Sequence, residues 1–251
     1  MGRRDQPASP YRLSSRGPGL GAASRESRAE GCLVLFSKPA VPGRVKTRLV
    51  GALSSGQAAE LHAAFVGDLS ARLAGSPWRL WTAWDLEEGE SPPLQLLAQP
   101  SARVLRQRGS DLGERLFGAL REAADAGFDP VAAVGSDHPT MPLARLEDCS
   151  GAFGRGADVV LGPAADGGYY LIACRSRALV PGLFAAIEWS TDRVLEQTLE
   201  RCAALGLRVE LLETGHDVDT PEDVRRLARE LAAAPGLCPR TEKLLGSWGV
   251  A

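Results

Sequence analysis

The sequence predicts an α/β fold: one domain on a mainly parallel sheet with helices on both faces. Three observations predict it. Short continuous apolar runs recur along the chain, as strands buried on both faces require. Amphipathic stripes of helical period lie between them, bounded by capping residues and glycines. At 251 residues, 44% of them hydrophobic, the chain can bury one sizeable core.

Residues 1–30 stand apart. They combine six Arg with many Ser, Gly and Pro and almost no large apolar residues, which predicts a disordered N-terminal extension. Cys32-Leu33-Val34-Leu35-Phe36 is the first buried strand. A helix starts at Ser54 or Ser55, with Ala58, Leu61, Phe65 and Leu69 on one stripe. Residues 78–84 read as a second strand, and a Pro-rich loop separates them from a short strand at 103–105. Asp111 caps a helix carrying Leu112, Leu116, Leu120 and Ala123, closed by Gly127. Strands follow at 131–134, 158–161 and 169–173, with a short helix at about 143–153. Ser190 reads as the cap of a helix bearing Val194, Leu195, Thr198, Leu199, Cys202 and Leu205, and the last good strand is 209–212. Thr220-Pro221 opens a helix with Val224, Leu227, Ala228 and Leu231 at i, i+3, i+4 and i+7. The folded domain thus spans 31–234, followed by a C-terminal tail over 235–251.

Charge and cysteine usage narrow the function classes. Lys plus Arg is 29 and Asp plus Glu is 31, a balance that argues against broad nucleic-acid or membrane binding. No apolar run approaches the ~18 residues of a membrane span. The five cysteines form no C-x-x-C pair, so buried thiols in a reducing cytoplasm are expected.

In a parallel sheet, ligands sit beyond the carboxyl ends of the strands. Three post-strand segments carry chemistry. The first, residues 36–49, holds Lys38, Arg44, Lys46 and Arg48 around Gly43. It is either a solvated basic loop or a cradle for phosphate, in which Gly43 admits an anion to the backbone and Lys46 reaches its oxygens. The second, Gly135-Ser136-Asp137-His138-Pro139, puts a carboxylate at the end of a buried strand. Asp137 could hold Mg²⁺ or Mn²⁺ over a diphosphate, or cap the next helix. The third, Asp217-Val218-Asp219-Thr220-Pro221, puts two carboxylates on one face if it is extended. Asp219 would complete the metal site, or Asp219 or Thr220 would cap the helix. Between them, Asp166-Gly167-Gly168 is a tight turn or a close approach to ligand, with Asp166 a candidate base. His138 and His62 receive no assigned role.

Taken together, "KPAVPGRVKTRL", "GSDHP", "DVVLGPAADGGYYLI", "EWSTDRVLEQTL" and "DVDTPEDV" resemble a bacterial family. They match, in order and spacing over about residues 31–232, the DUF2064-type glycosyltransferases of the nucleotide-diphospho-sugar transferase superfamily. Some members of that family are assigned to arsenosugar biosynthesis. The resemblance implies a single GT-A (Rossmann-like) domain and a nucleotide-sugar or nucleotide substrate. It implies that Lys46 and Arg48 hold donor phosphates, that Gly43 and Arg44 shape the loop, and that Asp137 and Asp219 bind Mg²⁺ or Mn²⁺. One departure stands out: glycosyltransferases of this fold often carry D-x-D, and Gly135-Ser136-Asp137 offers one acid. The expected function is a cytoplasmic glycosyltransferase with Asp166 as base. Nucleotidyl transfer with release of pyrophosphate, or nucleotide binding without turnover, remain as alternatives.

Overall fold

Alternation along one strand explains the layering. In Cys32–Ser37 the side chains of Cys32, Val34 and Phe36 enter one apolar cluster, while Leu33 and Leu35 enter another on the opposite face. Each fully buried leucine contributes roughly 1.5–3 kcal/mol. A strand buried on both faces must lie centrally, with helices above and below.

The computed structural model describes residues 31–101 and 103–249 and the backbone of Arg12–Leu13. Apart from that dipeptide, the extension expected over 1–30 lies outside the described residues. The strands are β1 (Arg12–Leu13), β2 (Cys32–Ser37), β3 (Arg79–Trp84), β4 (Val104–Arg106), β5 (Val131–Gly135), β6 (Val159–Pro163), β7 (Tyr169–Cys174) and β8 (Val209–Leu211). They form one sheet in the order β1-β8-β6-β7-β5-β2-β3-β4. Among the described residues only β7 runs against its neighbours, β5 and β6. It must do so, because the link from β6 is too short for the dozen or so residues of a parallel crossover.

The helices are α1 (Ser55–Ala74), α2 (Leu112–Asp125), α3 (Ala144–Gly154), α4 (Val194–Ala204), α5 (Pro221–Ala233) and α6 (Pro239–Ser247). Helices α2 and α4 cover one face of the sheet, and α1 and α3 the other. The expected cap Asp111 is in place, accepting from Glu114 N, and Ser54 caps α1, accepting from Gln57 N. All four stripe residues of α5 are buried. Leu112 and Leu205, expected on apolar stripes, stay exposed, each just beyond or at the end of its helix's buried run.

Two expectations need correction. Ser190 does not cap α4. It sits in left-handed backbone at φ 66°, and α4 begins after Arg193. The Leu195 N–H is instead accepted by the Gly167 carbonyl at 2.8 Å, a tertiary cap. The tail over 235–251 contains α6, which packs on α1 and α5. Its first turn is held by Asp68 of α1, a buried carboxylate. Asp68 accepts from Arg240 N at 3.0 Å and from Thr241 N and Oγ1 at 2.8 Å each. Asp68→Ala leaves those donors without their acceptor in a closed interface. We expect it to cost about 2–4 kcal/mol in urea unfolding, with early amide exchange in α6. An unchanged midpoint would show that α6 is not anchored there.

Candidate active site

The carboxyl ends of β2, β3, β5, β6 and β8 share one edge of the sheet, and the post-strand segments meet there. The basic loop is pinned by its apolar residues: Val45 and Leu49 are buried, Leu49 in the cluster formed by α1 and α5. Between them Lys46 has left-handed backbone, φ 48° and ψ 39°. For a side chain other than glycine this costs roughly 1–2 kcal/mol, and it persists only where the surroundings over-determine it. Gly43, at φ 82° with open space where a Cβ would stand, is needed for its conformation alone.

The surroundings of Lys46 are two carboxylates. Its ammonium is ion-paired to Asp137 and lies 3.1 Å from Asp219 Oδ1. The Lys46 side chain is 3% exposed, those of Asp137 and Asp219 43% and 35%. Burial works to lower the Lys46 pKa, but Asp137 and Asp219 outweigh it and raise it above the ordinary value. Desolvation likewise works against Asp137, and the Lys46 ammonium reverses it, holding this carboxyl below the usual range. Arg48 stands at the exposed mouth, 3.9 Å from Asp219 Oδ2.

The capping alternatives are now resolved. Thr220, not Asp219, caps α5: its hydroxyl accepts from Asp223 N, and Asp223 reaches back in a capping box. Helix α3 starts after Leu143 with no side-chain cap, so Asp137 is not a helix cap either. The Asp217-Val218-Asp219 segment is fixed by Val218 N donating to the Asp137 carbonyl at 2.9 Å. Val218 turns into the α1–α5 cluster. Asp217 lies largely inside; its Oδ1 is buried without a hydrogen-bond partner, and burial, with Asp137 next, pushes its pKa up to about 7.

Other residues singled out from the sequence lie around this cluster. Arg44 pairs with Glu87 and Glu90, bracing the loop against the segment after β3. Asp166 sits in the β6–β7 turn, where its Oδ1 accepts from Gly168 N at 3.0 Å. His138 packs edge-on against Tyr170, and the two rings leave room only for glycine at 215. Sequence reasoning passed over His62, which is buried on α1 with Nδ1 4.0 Å from Asp137 Oδ1. Burial lowers its pKa. The available signal was its place on the stripe of α1, four residues after Ala58 and three before Phe65.

Gly167 has φ 89°, and a Cβ there would stand 2.0 Å from the Asp192 carbonyl oxygen. The Asp-Gly-Gly sequence is therefore a turn on which the segment before α4 docks. Gly167→Ala adds left-handed strain of roughly 1–2 kcal/mol to a backbone clash. We expect a loss of at least about 2 kcal/mol in thermal or urea unfolding. A neutral effect would mean that the 188–195 segment moves freely away.

Residues 68–191 match the family described as "Uncharacterized protein conserved in bacteria (DUF2064)". Among solved structures, the chain is similar to a candidate nucleotide-diphospho-sugar transferase from Desulfovibrio desulfuricans G20. Identity is 32%, coverage 88% of this chain and 95% of that one, and the TM-score 0.81. Two further likenesses are of fold alone. A cytidylyltransferase from Leptospira borgpetersenii serovar Hardjo-bovis shares 14% identity over 88% of this chain and 94% of its own, TM-score 0.56. Glucosyl-3-phosphoglycerate synthase from Mycobacterium tuberculosis, solved with Mn²⁺, UDP and glucosyl-3-phosphoglycerate, shares 14% over 91% and 88%, TM-score 0.52. No curated protein matches the sequence. Among the described residues no helix is long and apolar enough to cross a membrane. Shared residues over nearly the whole Desulfovibrio protein, and the family match through the middle of the chain, place this protein in the DUF2064 family of nucleotide-diphospho-sugar transferases.

Proposed function

We propose that this transferase moves a glycosyl group from a nucleotide-sugar donor to an acceptor hydroxyl. In this reading the donor diphosphate rests on Lys46 and Arg48, and Asp137 and Asp219 hold one Mg²⁺ or Mn²⁺. The observation that carries it is the convergence of both carboxylates on Lys46, from segments up to 173 positions apart, at the ligand-binding edge of the sheet.

The residues fit such an ion. Asp137 and Asp219 share one ammonium, and Asp217, which interacts electrostatically with both of them, has a buried oxygen without a partner. The cluster therefore favours further positive charge. Among the described residues no group of three or more His, Cys, Asp or Glu forms a ready cage. An ion here would be taken up by one or two carboxylates and completed by substrate phosphate, as is usual for Mg²⁺. When bound, the ion would supply Lewis-acid stabilisation of the leaving diphosphate. Lys46 would act on the same developing charge. Gly43 shapes the loop and Arg44 ties it down. Asp166, oriented by Gly168 N, takes the proton of the acceptor hydroxyl. The five buried thiols fit a reducing cytoplasm.

One observation favours a second reading, nucleotidyl transfer. Gly135, in the place of the first acid of D-x-D at the end of β5, has no side chain and adds no ligand. A thermal-shift screen of nucleotides and nucleotide sugars with Mg²⁺ or Mn²⁺ tests the donor class, because a ligand stabilises by mass action. Glycosyl transfer predicts stabilisation by a nucleotide sugar and release of nucleoside diphosphate. Pyrophosphate released from a nucleoside triphosphate would establish the second reading instead.

A further inference from the structure

Behind the candidate site lies a buried polar group that the mechanism above does not use. Ser37 ends β2, and its hydroxyl donates to Ser136 Oγ at 3.1 Å, joining the ends of β2 and β5. His62 Nε2 lies 3.3 Å from Ser37 Oγ and 3.0 Å from the Lys38 carbonyl. That carbonyl can only accept, so Nε2 carries the proton. The opposite nitrogen, Nδ1, is buried without a hydrogen-bond partner and faces Asp137 Oδ1 at 4.0 Å. The residue is 4% exposed. A buried imidazole set among Ala58, Leu61 and Phe65 forgoes the packing of a leucine at the same place, and a polar group in such a site is costly unless it is satisfied. Its satisfied nitrogen holds the first residues of the cation-bearing loop. Its other side abuts the carboxylate assigned to the metal.

We propose that His62 is a positioning residue. Through Nε2–H it clamps the Ser37-Lys38 backbone, and with it the start of the loop that carries Lys46, against the Ser136-Asp137 end of β5. Its other edge, at Nδ1, abuts Asp137 at 4.0 Å without a hydrogen bond. The inference rests on the diphosphate and metal reading of the Lys46–Asp137–Asp219 cluster.

The test uses the full chain and inorganic pyrophosphate with Mn²⁺ as a probe that needs no knowledge of the base. Three variants separate the two ring nitrogens. His62→Leu keeps bulk and loses both. His62→Gln restores a donor at the Nε2 position, and His62→Asn restores one only near Nδ1. Calorimetric titration should show the leucine and asparagine variants weakened by roughly tenfold or more. The glutamine variant should return to within about threefold of the unsubstituted protein. Urea midpoints measured on the glutamine and asparagine variants separate a difference in stability from a difference in affinity. Equal affinities for these two variants, or undiminished binding by all three, overturn the proposal. If the leucine variant fails to fold, the glutamine–asparagine comparison still decides. No binding by the unsubstituted protein would overturn the parent reading, and the His62 proposal with it. Binding by the unsubstituted protein that survives in the variants removes only His62.

Discussion

Asp137→Asn and Asp219→Asn should each abolish metal-dependent binding of inorganic pyrophosphate while the protein stays folded. Each change removes the negative charge that makes the cluster attractive to a divalent ion. Truncating one member of such a charge group costs about 2–5 kcal/mol. Both side chains reach solvent, at 43% and 35%, so the apo fold should tolerate the amides. The two effects should not add, because either change breaks the same site. Titration of Mn²⁺ and pyrophosphate into the single and double variants checks this. Asp219→Asn binding normally would leave Asp137 to act without it, and additive losses would indicate two separate sites.

Lys46→Ala should lower affinity for a nucleoside diphosphate by about 1.5–3 kcal/mol, the range for a hydrogen bond between charged groups. The free protein should lose no more than about 2 kcal/mol, since the abandoned carboxylates can hydrate. Affinity for Mn²⁺ alone should survive, because a divalent ion can take the place the ammonium leaves. This split between anion and metal affinity distinguishes a phosphate-binding lysine from a purely structural one. Calorimetry on the variant with each ligand separately measures it. Unchanged nucleoside diphosphate affinity would contradict the assignment.

Much of this was legible in the sequence where local rules set the outcome. Helix α5 followed from Pro221, a cap at Asp219 or Thr220 and an i, i+3, i+4, i+7 stripe, all of which are local. Lys46, Asp137 and Asp219 were placed together by the rule that post-strand segments share one edge, and their geometry agrees. What escaped was fixed by distant partners. The start of α4 takes its cap from the Gly167 carbonyl, so Ser190 misled. Helix α6 depends on Asp68, 172 positions before Arg240. His62 looked like an ordinary stripe residue because its partner is a backbone carbonyl, which carries no sequence signature. The burial of Lys46 was also hidden: four cations in a loop suggest a solvated surface, and only the buried Val45 and Leu49 draw this one inside.

The most direct measurement is a calorimetric titration of ADP, GDP, CDP, UDP and dTDP into the full chain, once with Mn²⁺ and once with chelator. The account predicts that at least one of them binds with the ion present and at least roughly tenfold more weakly without it. That binding should vanish in Asp137→Asn. Affinities indifferent to the ion for every nucleotide, or binding undiminished in Asp137→Asn, would contradict the account.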